Sequence, residues 1–213
     1  MVRWALYAAI PLLAVAAVSL AFVLRSPAAK PTMSTTPPAS TSAAATWKPG
    51  VKRAPDFALR DEHGQPVSIA AFRGRPVLIA FIDPLCRDFC PVEAQRLSAA
   101  ARSVTGTKPA IVAVSVNTAG NRPGILKLDR RKWNVPAEWT WAIGTERELA
   151  RVWHAYHIEV ITTPKVIAGV HTQSVSHTEA SYLIDGKGYE RALFIWPYTA
   201  DAVTKSLRTT TAS

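Results

Sequence analysis

Two cysteines, Cys86 and Cys90, lie four residues apart and are the only cysteines in a chain of 213 residues. On a helical turn, side chains at this spacing have Cβ atoms about 5–6 Å apart. Two thiolates so placed can hold one soft metal ion, such as Cu(I) or Zn(II), or can close into a redox-active disulfide if the turn adjusts. A purely structural disulfide is the third alternative. Any sulfur chemistry of this chain therefore takes place at these two residues.

The segments around the cysteines predict a strand followed by a helix. Residues 76–82 form a short, apolar, β-branched run, which is typical of a buried strand. Pro91 suits the first turn of a helix, and the residues after it have helix-forming composition. The N-terminal end of a helix carries unpaired N–H groups and a partial positive charge. Both favour a thiolate, so the cysteines are expected where their ionised forms are stabilised.

Two thiolates leave a copper or zinc site short of ligands, so a histidine is expected nearby. The chain has five: His63, His154, His157, His171 and His177. His177 shortly precedes a predicted strand, Ala180–Ile184, which should lie near the strand at 76–82 and the cysteine loop. His171 falls in an irregular hairpin predicted over 158–176 and is a weaker candidate. The other three are better explained as a turn residue and as residues of a half-exposed helix. His177 is the candidate third ligand.

Charge is distributed unevenly along the chain. The net charge is +10, but residues 1–53 contain six basic and no acidic residues, which leaves 19 of the 25 basic and all 15 acidic residues in the remainder. No basic helix with interleaved aromatic residues is present in the sequence, so a nucleic-acid partner is not expected. Residues 4–24 carry no charge over 21 positions, enough to span a bilayer of about 30 Å.

These patterns predict four segments. Residues 1–25 are expected to be a membrane anchor, with a cleavable signal peptide as the alternative. Residues 26–53, rich in Pro, Ala, Ser and Thr, are expected to be a disordered linker. Residues 54–207 form the predicted domain, and residues 208–213 are expected to be a disordered tail. A bacterial inner membrane, with the domain on the periplasmic or extracytoplasmic side, is the simplest location.

Strands and helices alternate within the predicted domain. Residues 110–116 form a continuous apolar run, as in a central parallel strand. Thr145 followed by Glu148 three residues later is a capping box, which predicts a helix start. A hairpin closes the sheet around the tight turn at 185–188. The alternation with one terminal hairpin predicts an α/β three-layer sandwich with a mixed central sheet.

The motifs resemble those of the Sco/SenC family of copper chaperones. Members carry Cys-x-x-x-Cys-Pro after a strand, matched here by Cys-Arg-Asp-Phe-Cys-Pro at 86–91. They also carry a distal histidine before a strand ending in x-Tyr-Leu-x-Asp-x-x-Gly, matched here by His177 and residues 181–188. Three further stretches are similar: residues 54–57, 72–78 and 141–145. The likeness covers about 54–196.

The resemblance implies a thioredoxin-like fold and copper, Cu(I) or Cu(II), as the metal. It implies Cys86, Cys90 and His177 as the ligands and a copper-containing respiratory oxidase as the client. Other periplasmic copper chaperones or thiol-disulfide oxidoreductases are the implied further partners. The chain departs from the family at Arg87, where proline is frequent, and at Ser176, where aspartate is frequent. These departures bear on partner recognition and redox tuning, since the three ligands are intact.

The sequence therefore predicts a membrane-tethered copper metallochaperone for assembly of an oxidase such as cytochrome c oxidase. It either delivers copper or maintains the thiols of the oxidase copper site. An enzyme, namely a thiol-disulfide oxidoreductase or peroxidase of similar fold, is the alternative. The wider spacing than Cys-x-x-Cys and the placed histidine count against it. An interaction module with a structural disulfide is a third hypothesis, which predicts neither metal binding nor turnover.

Overall fold

The computed structural model describes residues 38–167 and 169–211. The strands are β1 (Ala45–Thr46), β2 (Leu59–Arg60), β3 (Pro66–Val67), β4 (Val77–Ile82), β5 (Ala110–Ser115), β6 (Trp139–Ala142), β7 (Val160–Ile167), β8 (Val170–His177), β9 (Ala180–Ile184) and β10 (Glu190–Ile195). The helices are α1 (Phe89–Ser103), α2 (Pro123–Lys132), α3 (Glu146–Ala155) and α4 (Ala200–Thr211). Short 3₁₀ turns occupy Ala70–Phe72 and Thr118–Gly120.

Six strands form the central sheet in the order β1-β10-β9-β4-β5-β6. β4, β5 and β6 are parallel, whereas β9 pairs antiparallel with both β4 and β10, and β1 pairs antiparallel with β10. The predicted mixed sheet and the predicted neighbourhood of β9 and β4 are therefore confirmed. Every residue of β4 and β5 is buried, because both faces of these strands are covered.

Helices cover the two faces of the sheet and give the three predicted layers. On one face, residues of α1, α2 and α4 pack with alternate residues of β4, such as Leu78 and Ile82. On the other face, α3 and the segment before β2 pack with the intervening residues, such as Ile79 and Phe81. The alternation follows from the two-residue period of a strand.

The predicted start of the helix after β6 is also confirmed. The Thr145 side chain accepts the Glu148 N–H at 3.3 Å, and the Glu148 carboxylate accepts the Thr145 N–H at 2.7 Å. This reciprocal capping satisfies two N–H groups that the first turn of α3 leaves without helical partners.

The boundaries of the domain differ from the prediction at both ends. Residues 38–53, expected to belong to the linker, lie along β10: the Ala44 N–H donates to the Leu193 carbonyl at 2.8 Å, and the Trp47 N–H donates to the Arg191 carbonyl at 3.0 Å. Backbone bonding of this kind needs no apolar periodicity, which is why composition did not reveal it. At the other end, residues 208–211, expected to belong to a disordered tail, continue α4. Thr210 lies on the buried face of this helix.

Two other elements differ in detail. α1 begins at Phe89, so Cys90 lies inside the helix and Cys86 just before it. The hairpin expected to be irregular is a regular antiparallel pair, β7 with β8, joined over eight residue pairs from Val160–His177 to Ile167–Val170. This pair forms its own two-stranded sheet. The predicted anchor at 1–25 lies outside the described residues, and among the helices of the described part none is long and apolar enough to cross a bilayer.

Candidate metal centre

The two cysteines and His177 line one cleft of about 360 Å³ at the carboxyl end of β4. The loop between β4 and α1 forms one side, and the end of β8 forms the other. The lining residues are Asp83, Leu85, Cys86, Asp88, Phe89, Cys90, Asn117, Gln173, Ser174, Val175, Ser176, His177 and Glu179. The fold therefore brings together the three side chains that the sequence singled out, although His177 is more than eighty residues from the cysteines.

Cys86 is the partly exposed thiol of the pair. The hydrogen bond from the Cys90 side chain is the main factor that lowers the pKa of Cys86 to about 6; burial opposes it, and backbone N–H groups at the start of α1 assist. The Cys90 N–H points at the Cys86 sulfur, with 3.5 Å between nitrogen and sulfur. Cys86 is therefore a thiolate at neutral pH, as expected beside a helix N-terminus.

Cys90 is the buried thiol, with 2% of its surface exposed. The pKa of Cys90 is raised, first because its thiol donates to Cys86, and then because burial and the nearby charges of Cys86 and Glu93 disfavour a second anion. The pair therefore has one proton shared unequally: an outer thiolate and an inner thiol. A cation that binds both sulfurs would displace this proton.

His177 is the last residue of β8 and pairs with Val160 at the open end of the hairpin. Its Nδ1 lies 3.0 Å from the Thr178 carbonyl oxygen. Because a carbonyl only accepts, Nδ1 carries the proton and Nε2 keeps a free lone pair. Burial lowers the pKa of His177, which favours this neutral form. A neutral imidazole held through one nitrogen is the usual form of a metal-binding histidine.

The ligand set is gathered but is not closed. Within residues 38–167 and 169–211, no three His, Cys, Asp or Glu side chains stand in an arrangement that would hold a metal ion. Binding by all three candidates would therefore require the end of β8 and the cysteine loop to approach each other. Of the other histidines, His63 lies in the exposed turn after β2, His154 on the exposed side of α3, and His157 just after that helix. His171 is in β8, paired with Val166 towards the far end of the hairpin.

One protein-family model matches most of this chain. The SCO1/SenC model matches residues 48–212, which is most of the chain and includes all three candidate ligands. The chain belongs to the SCO1/SenC family. The family match begins within the segment that had been expected to be linker, in agreement with the packing of residues 38–53 along β10.

Relatives of this SCO1/SenC chain include the mouse mitochondrial protein SCO2 homolog, 25% identical over 155 residues. That alignment covers 72% of the chain but only 60% of the relative's length. A copper-bound structure of Bradyrhizobium japonicum ScoI is similar with a TM-score of 0.63 and 22% identity, covering 74% of this chain and 99% of that one. The structure of BsSco, described as a Sco-family cytochrome c oxidase assembly protein with a disulfide switch, has a TM-score of 0.59 and 15% identity, covering 81% and 98%. These likenesses show the thioredoxin-like fold.

Arg87 lies between the two cysteines, at a position that departs from the family pattern. Its side chain holds the cysteine loop in place through several polar contacts. Its guanidinium donates to the carbonyls of Pro84 and Cys86 at 3.0 and 2.8 Å. It also lies 3.3 Å from the carboxylate of Asp129 on α2, whose side chain is 1% exposed. Burial raises the pKa of Asp129, and the Arg87 charge opposes that rise. Arg87 therefore links the cysteine loop to α2, a role that the sequence alone did not indicate.

Glu93 is a second feature that sequence reasoning missed. It lies one turn after Cys90, is 2% exposed, and accepts hydrogen bonds from the hydroxyls of Ser181 at 2.8 Å and Tyr198 at 2.9 Å. Burial raises the pKa of Glu93 to about 7, against the two hydrogen bonds. A signal was available, because Glu93 shares the buried face of α1 with Cys90 and Leu97. A carboxylate on an apolar stripe indicates a buried polar partner.

Proposed function

We propose that this chain is a copper metallochaperone in which Cys86, Cys90 and His177 hold one copper ion. The observation that carries the proposal is the convergence of these three side chains on one cleft in a member of the SCO1/SenC family. The copper-bound ScoI relative supports copper rather than zinc as the metal. Two thiolates suit Cu(I), and the imidazole matters more for the harder Cu(II) ion.

The two sulfurs also make copper binding depend on redox state. Oxidation of Cys86 and Cys90 by a partner's disulfide would pass two electrons to the partner, giving it two thiols, and would close a bond between the two sulfurs. Both sulfur ligands are lost in that step, so the disulfide form should release copper. The disulfide switch described for BsSco supports this cycle.

For the cellular role, we propose delivery of copper to a respiratory copper oxidase such as cytochrome c oxidase, or maintenance of the thiols at its copper site. The description of BsSco as a member of a family of oxidase assembly proteins supports this client. The matched part covers 60% of the mouse relative's length, so the proposal does not rest on the activity of that whole protein. The uncharged stretch at 4–24 supports tethering to a bacterial inner membrane, with the domain on the extracytoplasmic side.

Anaerobic titration of the reduced full chain with copper tests the ligand set. We expect about one copper ion per chain, and loss of tight binding in Cys86→Ser and in Cys90→Ser, because one thiolate and one imidazole make an incomplete soft site. His63→Ala, which changes an exposed turn residue, is the matched control and should bind as the parent does. Tight stoichiometric binding by the double serine variant would exclude the site.

A thiol-disulfide oxidoreductase remains the second candidate, and the unequal thiols support it. The pKa of Cys86 near 6 gives a thiolate that can attack a disulfide, and the buried Cys90 is placed to resolve the product. An insulin-reduction assay, run beside the copper titration, separates the two functions. Rapid catalytic turnover without copper binding would favour the oxidoreductase.

A further inference from the structure

An exposed apolar ridge borders the cleft on the side of the two cysteines. It consists of Leu85, Phe89, Val92 and Trp196. Phe89 and Val92 are three residues apart on α1, so they lie on one side of the helix, and Leu85, in the turn before α1, lines the cleft together with Phe89; the three are 49%, 40% and 40% exposed. The ring of Phe89 lies 6.4 Å from that of the half-buried Trp196, which extends the ridge onto the end of β10. Exposed apolar side chains beside the partly exposed Cys86 indicate an interaction site.

Charges around the cleft are of one sign, although the whole chain is basic. The lining includes Asp83, Asp88 and Glu179, and no lysine or arginine of the described residues lines it. Two arginines nearby are bound to the protein itself. Arg87 donates to loop carbonyls and faces Asp129, and Arg96 lies over the Trp196 ring at 4.5 Å while donating to the Tyr198 carbonyl. The cleft lining next to Leu85 and Phe89 therefore carries carboxylates, whereas the Arg96 guanidinium lies at the Trp196 end of the ridge.

The position of Cys86 brings a polypeptide partner against the cleft end of this ridge. Leu85 and Phe89 line the cleft together with the cysteines, and the Cys86 sulfur is only partly exposed. A donor or acceptor atom that reaches bonding distance of this sulfur must bring its own chain against them. Burial of the ridge then stabilises the complex, and the carboxylates select the charge of the partner.

We propose that the ridge and its acidic border dock a polypeptide loop that carries a cysteine pair flanked by apolar and basic residues. This proposal rests on the proposed function, because it describes the partner with which Cys86 and Cys90 exchange copper or electrons. The apolar flanks cover Leu85, Phe89 and Val92. The lysines or arginines of the loop face Asp88 and Glu179.

Thiol-disulfide exchange with synthetic peptides tests the docking preference without copper. Each of three peptides contains two cysteines closed into one disulfide. The residues that flank the cysteines are Lys and Leu in the first peptide, Glu and Leu in the second, and Lys and Ser in the third. The Cys86 thiolate attacks one peptide sulfur, and the other leaves as a thiolate. Cys90 then displaces the bound sulfur, its proton passes to the departing peptide thiolate, and two electrons move from the chain to the peptide. Second-order rates are measured with the reduced full chain at low salt.

We expect the Lys–Leu peptide to react about tenfold faster than the Glu–Leu peptide, because opposite charges raise association rates. The ratio should approach one at about 1 M salt, where the screening length is about 3 Å. The Lys–Ser peptide should be slower than the Lys–Leu peptide severalfold. Equal rates for all three peptides at low salt, or a faster reaction of the Glu–Leu peptide, would overturn the proposal.

Variants assign the preference to the ridge and its border. Val92→Thr and Phe89→Gln should slow the Lys–Leu peptide, and Asp88→Asn and Glu179→Gln should reduce the ratio between the Lys–Leu and Glu–Leu peptides. Each rate is divided by that for hydroxyethyl disulfide, which reads the reactivity of Cys86 itself. The exposed Val51 and Asp201 provide matched controls, Val51→Thr and Asp201→Asn, which should leave the normalised rates unchanged.

Two outcomes separate the docking proposal from its alternatives. Normalised rates that do not change in the ridge variants would overturn the docking surface, whatever the copper titration shows. A concentration-dependent dimer of the parent in sedimentation experiments, lost in Phe89→Gln, would assign the ridge to a second copy of this chain instead. Charge selectivity in a chain that binds no copper would keep the docking surface and reject the metallochaperone.

Discussion

Cys86 and Cys90 follow β4, a strand buried along its whole length, whereas His177 ends β8, a strand outside the six-stranded sheet. We refer to residues 77–93 as the sulfur side of the cleft and to β7–β8 as the hairpin side. The sulfur side is tied to α2 through Arg87 and to β9 through Glu93. Among the described residues, the hairpin side is joined to the rest by the Gln173 side chain, which donates to Asn117 at 3.4 Å, and by the packing of Val160 and Val175 against the core.

This difference indicates that the two sides of the candidate site have different roles: one fixes the two sulfurs and the other supplies the imidazole. The spacing of the two sulfurs is set by β4 and α1, and their ionisation is set first by the hydrogen bond between them, so both should be insensitive to what happens at the hairpin. The imidazole is carried by the less embedded element, and the ligand set is not closed among the described residues. We therefore expect copper binding to draw the hairpin side towards the sulfur side rather than the reverse.

The largest expected effect is on the free energy of unfolding. It compares a substitution in the strand beneath the sulfur side with one in the hairpin side. Phe81 of β4 is fully buried and packs against the rings of Tyr156 and Tyr182, so Phe81→Ala should cost about 3–5 kcal/mol of unfolding free energy. Ile161 of β7 is 52% exposed, and Ile161→Ala should cost less than about 1 kcal/mol. Urea denaturation of both variants measures the difference. Similar costs for the two substitutions would contradict the comparison.

Glu93 gives the sulfur side a pH dependence. Its folded pKa of about 7 lies above the ordinary value of 4.5, so its contribution to stability is present below pH 4.5 and is lost as the pH rises through 7. Between pH 4.5 and pH 8 the parent should lose about 2–3 kcal/mol more unfolding free energy than Glu93→Gln, which has no charge to bury. Denaturation curves at a series of pH values measure this. Parallel pH profiles for parent and variant would show that Glu93 ionises without penalty.

His177→Ala tests whether the hairpin side supplies a ligand without supporting the fold. The substitution should change the unfolding free energy by less than about 1 kcal/mol, because the polar contact of the imidazole with the described residues is the one to the Thr178 carbonyl. Affinity for Cu(II) should fall by at least about 10–100-fold, since that is the scale for losing even an outer partner of a metal ligand. His154→Ala, at an exposed position of α3, is the control. Unchanged Cu(II) affinity would remove His177 from the site.

The smallest effect concerns the link between the cysteine loop and α2. Arg87→Ala should cost about 1 kcal/mol, because it leaves the buried Asp129 carboxylate without its cation. The value is small because the Arg87 side chain is 52% exposed and its charge is screened by solvent. In an Asp129→Asn background the same substitution should be nearly neutral. A double-mutant cycle on unfolding free energies measures the coupling. Equal costs in both backgrounds would show that Arg87 acts only through its loop carbonyls.

Much of the sulfur side could be predicted from the sequence, because its signals are local. The apolar run before the cysteines and the helix after them are each encoded within a few residues of chain, and they determine where the cysteines lie. The neighbourhood of β9 and β4 followed from the order of elements. The Thr145 capping box, which starts α3 elsewhere in the domain, is local in the same way.

The missed features depend on residues far apart in the chain. Glu93 is bound by Ser181 and Tyr198, 88 and 105 residues away, and Arg87 faces Asp129 on another helix. No local pattern encodes such pairings. The hairpin was expected to be irregular because Pro164 interrupts its β-branched run, yet Pro164 pairs in register with Gln173. A two-stranded sheet tolerates proline where its missing N–H is on an open edge.

The attachment of residues 38–47 along β10 has a mechanical consequence. The Ser40 N–H donates to the Pro197 carbonyl at 2.8 Å, and the Thr199 N–H donates to the Ser40 carbonyl at 2.9 Å, one residue on either side of Tyr198. The Tyr198 hydroxyl in turn donates to Glu93 on α1. Tension on the chain at residue 38 is thus transmitted through Ser40 and Tyr198 to Glu93 on α1, three residues from Cys90. A pull at that point would load the helix that carries the inner thiol.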